Sequence, residues 1–292
     1  MTNFREALQS QDFSISAELS LKRESIAVDV HRQVDALAQF VDGIQVADNP
    51  WSWVQMSAIA AAGLVQQRGV DPILLLTCRD RNRVALHSDL LGLRAMGVTS
   101  VLLTYGKNLQ SKSQLKAKEV FDTTGLELVS MANTLNKDPS LGPGENFFIG
   151  TGARVFRPGA EWPATSLKVR VDAGARFLQS QYCFDTDAIR AYADALVSLK
   201  LTWKCAVIIS LAVLPSANAA IWFKKNMPAV NIPAKLVERL DGASNPEFEG
   251  VKICTELMQE VSEIPGISGV NLMTMGDPEL IPAVIKASGL RS

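Results

Sequence analysis

The sequence predicts an α/β chain folded as a single (β/α)8 TIM barrel over residues 1–292. Three observations lead there. Short apolar, β-branched runs occur eight times, segments of helical period separate them, and no low-complexity or linker-like stretch divides the chain. A doubly wound open sheet is the alternative, but no strand runs directly into a complete GxGxxG, and Gly150-Thr151-Gly152 lacks the third glycine.

The elements follow in order. Phe13-Ser14-Ile15-Ser16-Ala17-Glu18 alternates as a first strand, and 30–41 has helical period. Gly43-Ile44-Gln45-Val46-Ala47 is the second strand, followed by an alanine-rich helix over 54–67. Ile73-Leu74-Leu75-Leu76-Thr77 is apolar on both faces, as buried parallel strands are. A helix over 83–96 leads to a fourth strand at 98–103, and a further helix is expected over 114–122. An irregular Pro/Gly segment, 137–146, precedes the fifth strand at 147–150. Strands six and seven fall at 176–181 and 206–209, two or three helices fill 217–261, the eighth strand is 269–273, and a final helix covers 278–287.

Composition narrows the chemistry. Hydrophobic residues make up 47% of the chain, enough for a large core. The 29 basic and 30 acidic residues nearly cancel, which argues against nucleic acid or an anionic membrane face as partner. With only His31 and His87, a histidine-rich zinc site or a Ser-His-Asp triad is excluded, and no metal is expected. Cys78, Cys183, Cys205 and Cys254 are widely spaced, as in a reducing compartment. The start, Met1 to Glu6, is polar, and no apolar run is long enough to span a membrane, so a cytoplasmic protein is expected.

In such a barrel the working groups sit at the C-terminal ends of strands. That places Glu18, then Asp48 and Asn49, then Thr77 and Asp80, around one mouth. Tyr105, Gly106 and Lys107 follow the fourth strand, Gly152 and Arg154 the fifth, Gln181 and Asp185 the sixth, and Asn271 and Thr274 mark the eighth. Glu18 stands between Ala17 and Leu19, where desolvation raises a carboxyl pKa and suits it to donate a proton; the competing reading pairs it with Lys22 or Arg23. The run Thr77-Cys78-Arg79-Asp80-Arg81-Asn82-Arg83 reads either as an anion site or as a helix cap with ion pairs. Trp51 and Trp53 read either as walls for a planar ligand or as packing.

Several of these segments, in this order and spacing from Phe13 to Gly289, resemble the methylenetetrahydrofolate reductase family. They are Asp48-Asn49-Pro50, Leu76-Thr77-Cys78-Arg79-Asp80-Arg81-Asn82-Arg83, Asp172-Ala173-Gly174-Ala175-Arg176-Phe177, Ser180-Gln181-Tyr182-Cys183-Phe184-Asp185 and Gly269-Val270-Asn271-Leu272. The resemblance implies a barrel binding FAD at its mouth, an oxidoreductase passing hydride from NAD(P)H through flavin to 5,10-methylenetetrahydrofolate. It implies Glu18 as general acid and Gln181 as a folate contact; Asp48, Asn49, Lys107 and Asn271, at strand ends, are the further substrate-binding candidates. The cofactor-binding candidates are Thr77, Tyr105, Gly106, Arg154, Arg157 and Arg170, of which Arg170 keeps a basic residue of the family. A homo-oligomer, or a complex with another one-carbon enzyme, is the implied assembly.

The departures point at the flavin. The family's Gly-Asp after the fourth strand is Gly106-Lys107 here, which changes the local charge by about two units. Ala47 replaces a flavin-bonding threonine, Arg154-Val155-Phe156-Arg157-Pro158 carries bulky side chains where the family has small ones, and the family aromatic after the seventh strand becomes Ala219. Folate binding retained with flavin binding altered or lost is therefore expected. Two other functions compete with a divergent reductase: a flavin-free tetrahydrofolate-dependent methyltransferase or demethylase, and a non-catalytic folate-binding partner subunit.

Overall fold

A computed structural model describes residues 3–10, 13–109, 116–227 and 230–291. The strands are β1 (Ser14–Glu18), β2 (Gly43–Val46), β3 (Pro72–Thr77), β4 (Ser100–Thr104), β5 (Phe148–Ala153), β6 (Phe177–Tyr182), β7 (Ala206–Val213) and β8 (Gly269–Thr274). All pair in parallel in chain order, and β8 returns to β1 through Ser14↔Gly269 and Ser16↔Asn271. The result is a closed (β/α)8 barrel. Around it lie α1 (Phe4–Gln9), α2 (Ala27–Leu37), α3 (Ala58–Gln66), α4 (Arg83–Met96), α5 (Gly125–Leu135) and α6 (Thr165–Asp172). The ring continues with α7 (Thr186–Ser198), α8 (Ala217–Asn226), α9 (Ala234–Asp241), α10 (Pro246–Ser262) and α11 (Leu280–Ser288).

Local chemistry sets the helix limits. The Asn82 side chain accepts from Ala85 N–H to open α4, and Gly97 closes it at φ +78°. Asp185 caps α7 through Ala188 N–H, and Asn245 with Pro246 opens α10.

One expected helix is corrected. Residues 116–122 are irregular, while positions 114 and 115 lie outside the described residues. Val120 N–H donates to Arg79 C=O at 2.8 Å and Phe121 N–H to Cys78 C=O at 3.2 Å, so this segment lies against the end of β3. Ala117, Val120 and Phe121 do have helical spacing, but Phe121 has φ +41°, which no right-handed helix tolerates. The helix begins instead at a capping box, Thr124 with Glu127. Helices α1, α6 and α7 were not anticipated from the sequence.

Two apolar layers are separated by the sheet. Residues such as Ile15, Ile44, Leu74 and Val101 face outward to the helices. Inside, Phe4, Ile73, Leu102, Phe148, Phe177 and Ile208 form a floor at the N-terminal end, with α1 folded across it. Phe177 stacks on Phe148 at 5.2 Å and meets the edge of Phe4 at 5.3 Å. Gly150 makes room, since a Cβ there would lie 2.1 Å from the Phe177 ring. Above this floor the barrel interior turns polar.

Candidate functional site

The mouth opens on a cavity of about 720 Å³. Glu18, the last residue of β1, reaches its wall. The side chain of Gln45 enters from β2, where parity with Gly43 turns it into the barrel between outward-facing Ile44 and Val46. Its Nε2 donates to Glu18 Oε2 at 2.9 Å.

Tyr182 arrives by a different route. Alternation along β6 turns Phe177 and Gln179 inward, so Tyr182 belongs on the outside. However, Gln179 pairs with Ile208 and Tyr182 with Ser210, three residues on one strand against two on the other. This bulge re-aims the chain by one position. The Tyr182 hydroxyl consequently donates to the same Glu18 Oε2 at 3.5 Å, and its ring is held edge-on by Phe223 at 5.6 Å.

The protonation pattern follows from this geometry. Burial pushes the Glu18 carboxyl up to about 7, against the opposing hydrogen bonds from Gln45 and Tyr182. Burial and the neighbouring Glu18 hold the Tyr182 phenol well above its ordinary value, so it remains a donor. With Gln45 and Tyr182 both converging on Oε2, that oxygen is the acceptor, which leaves Oε1 as the oxygen available to carry the proton of the neutral acid.

Other polar atoms here lack partners. Gln179 Nε2 donates to Ser210 Oγ at 3.2 Å, but its buried Oε1, like Gln45 Oε1, accepts no hydrogen bond within the described residues. Both glutamines line the cavity. Two buried amide carbonyls without donors create a demand for a ligand rich in N–H groups. Neither glutamine, nor Tyr182, was singled out from the sequence; a polar residue at an inward position between apolar neighbours was the available signal for Gln45 and Gln179.

The remaining candidates divide by place. Gln181, Lys107, Tyr105, Gly106 and Arg170 line the same cavity. Tyr105 stacks on Phe121 at 4.4 Å, and Gly106, at φ +91°, turns the chain where a Cβ would press on Thr77 and Arg79. Asn271 is buried in the barrel interior off the cavity wall; its Oδ1 accepts from Ser16, and its Nδ2 has no partner among the described residues. Asp48 and Thr77 are also away from the cavity wall. Asp48 accepts from Thr77 N–H and Oγ1 at 3.1 and 3.0 Å, and pairs with Arg81 at 2.8 Å. Asn49, at φ +44°, donates to Asp80, which Arg79 engages with two bonds of 2.7 Å. Arg154 and Arg157 line a second, smaller cavity. Trp53 lies 6.0 Å from Trp222 on the surface, and the Trp51 side chain lies outside the described residues.

The six residues assigned to FAD do not converge on one volume: Tyr105, Gly106 and Arg170 line the larger cavity, Thr77 lies behind Gly106, and Arg154 and Arg157 line the smaller one. Arg170, the best placed for phosphate, already donates to Thr151 Oγ1, Gly152 C=O, Ser166 C=O and Ser166 Oγ. These residues do not fit a flavin diphosphate cradle, and no chemistry is assigned through FAD. The thiols of Cys78 and Cys183 are pushed up to about 11 by burial, far from the thiolate range. No described helix is long and apolar enough to cross a membrane.

Comparison with known proteins places these features in a lineage. A family model described as methylenetetrahydrofolate reductase matches residues 3–289. Curated proteins return no match to the sequence. Among solved structures, an uncharacterized protein from Clostridium thermocellum that binds two copies of 5-methyl-5,6,7,8-tetrahydrofolic acid superposes with TM-score 0.68 at 12% identity, covering 97% of this chain and 96% of that one. A fungal β-1,4-galactanase structure gives TM-score 0.55 at 12% identity over 94% and 99%. A 2,3-dimethylmalate lyase of the PEP mutase/isocitrate lyase superfamily gives 0.51 at 11% over 92% and 78%. At these identities the structural matches establish the barrel fold.

Proposed function

The chain belongs to the methylenetetrahydrofolate reductase family, and on that premise we propose that it is a single-domain, tetrahydrofolate-dependent one-carbon enzyme interconverting methylene- and methyltetrahydrofolate, with Glu18 as general acid. The carrying observation is the enclosed Glu18 carboxyl, poised near neutral pH with Gln45 and Tyr182 both on Oε2. A reduced pterin offers the N–H donors that Gln45 Oε1 and Gln179 Oε1 lack, and Gln181 stands beside them on the same wall. The methyltetrahydrofolate bound by the Clostridium thermocellum protein of the same fold supports that ligand class.

In this reading the proton leaves Glu18 Oε1 for a nitrogen of the bridging imidazolidine ring. The C–N bond breaks, its electron pair takes the proton, and the iminium left at the other nitrogen would accept hydride from a reduced nicotinamide co-substrate, which is oxidised in turn. The resulting carboxylate is stabilised in place by the two donors on Oε2. A pKa near 7 keeps about half of Glu18 protonated at neutrality, which suits proton transfer in both directions.

A second reading is favoured by the scattering of the flavin-assigned residues: methyl transfer to or from tetrahydrofolate without flavin. The visible spectrum of the purified protein together with calorimetric titration of tetrahydrofolate separates the readings. Folate binding is expected in either case. Stoichiometric flavin absorbance removes the flavin-free reading, and absence of folate binding removes both.

A further inference from the structure

The segment Arg154-Val155-Phe156-Arg157, singled out in the sequence as a departure, is not used by the chemistry around Glu18. It forms one wall of the second cavity, of about 270 Å³, opposite Gln181, Tyr182, Asp185 and Asn231. Gln181 and Tyr182 line both cavities, so the two volumes share a wall two residues long.

The segment is pinned. Val155 is buried, and Phe156 packs edge-on to Trp162 at 5.1 Å and against Tyr192 at 5.8 Å. The flanking arginines are thus presented from a fixed backbone. Arg154 makes no hydrogen bond or ion pair among the described residues. Arg157 spans Asp185 at 3.5 Å and Asp187 at 3.6 Å, longer than a well-formed charge-assisted bond, and its side chain is 62% exposed. Asp185 itself is occupied by the N-terminus of α7 and by Asn231. Of the charged residues that line this cavity, two are guanidinium groups and one, Asp185, is a carboxylate already engaged, while Asp187 stands off the lining.

We propose that this second cavity seats the carboxylates of the glutamyl tail of a folate whose pterin occupies the larger cavity. The assignment rests on the folate reading above. A guanidinium fork matches a carboxylate bidentately, and the tail carries two carboxylates, matching two arginines. A ligand held at Glu18 reaches them by crossing the Gln181–Tyr182 wall. Lys107, the competing cation, stands on the larger cavity and does not line this one.

Calorimetry with tetrahydrofolate and tetrahydropteroate, which lacks only the glutamate, tests the assignment. The wild-type protein is expected to bind tetrahydrofolate at least about tenfold more tightly, with the preference shrinking as salt is raised. The double variant Arg154→Gln/Arg157→Gln should lose that preference while binding tetrahydropteroate as before, and Lys107→Gln should keep it. A preference that survives the double variant, or disappears with Lys107→Gln, overturns the assignment. So does equal weakening of both ligands in the double variant, which would mark the arginines as supports of the fold. Binding of neither ligand by the wild-type protein would instead remove the folate reading itself.

Discussion

The two sides of the barrel mouth handle polar groups in opposite ways. Beyond β2 and β3, every conspicuous charge has an internal partner: Asp48 with Arg81 and Thr77, Asp89 with Arg81, Asp80 with Arg79 and Asn49. At β1, β2 and β6 there are fewer charges, yet Gln45 Oε1 and Gln179 Oε1 are buried without partners and Glu18 is held close to neutral. A dense charge cluster that satisfies itself is architecture. A sparse one with unmet hydrogen bonds is prepared for something that arrives.

The strongest way to break this contrast is to exchange the roles of its two carboxylates. Glu18→Gln should lower the rate of methylene–methyl interconversion by about 10²- to 10⁴-fold, measured at saturating folate, because an amide cannot deliver the proton. Asp48→Asn should change that rate far less. If the two variants lose activity equally, the mouth has no privileged side.

Next in size is the cost of breaking the paired side. Arg81→Ala strands the buried Asp48 carboxylate and should destabilise the fold by about 3–5 kcal/mol in denaturant titration, with tetrahydrofolate affinity of the folded protein little changed. A loss below about 1 kcal/mol would mean that the ion pair is incidental.

Stability should also reveal Glu18 without any assay of activity. Its folded pKa of about 7 lies above the ordinary 4.5, so the protonated folded state is favoured. The associated stability is complete below about pH 4.5 and disappears as pH rises through about 7. Glu18→Gln should therefore be more stable than wild type at pH 8, by up to about 3 kcal/mol, and nearly equal to it at pH 4. A stabilising loss-of-function change is the mark of a residue kept for chemistry. Parallel stability–pH curves for the two proteins would contradict the burial of the acid.

The smallest expected effects sharpen the picture inside the unmet side. Gln45→Leu and Tyr182→Phe each remove a donor to the carboxylate, so both should move the Glu18 limb of the pH–rate profile upward, further for Gln45. A downward movement would place the proton on Oε2.

Much of this architecture was legible because the barrel repeats one signal: apolar strands that bury both faces. Glu18 was legible because it ends an alternating strand. Tyr182 was hidden by the β6 bulge, which breaks the two-residue parity from which its direction would be read. Gln45 was hidden by its neighbours Ile44 and Val46, which make the strand look apolar throughout. Residues 116–122 misled because Ala117, Val120 and Phe121 fall at helical spacing among charged residues, whereas backbone bonds to Arg79 and Cys78 and the positive φ of Phe121 hold the end of that run out of a helix. Arg79-Asp80-Arg81 carried the loudest signal, and most of it is spent on neighbours.

The aromatic floor has a kinetic meaning. Phe4, Phe148 and Phe177 close the barrel at its N-terminal end, so among the described residues the open end of the barrel is the mouth. On the folate reading proposed above, whatever exchanges hydride or a methyl group with the folate would enter from the side by which the folate entered. Either both occupants share one chamber in a fixed order of arrival, or the first departs before the second is admitted. Product inhibition patterns would tell these schedules apart, and in both of them a molecule lodged in the doorway blocks both reactants at once.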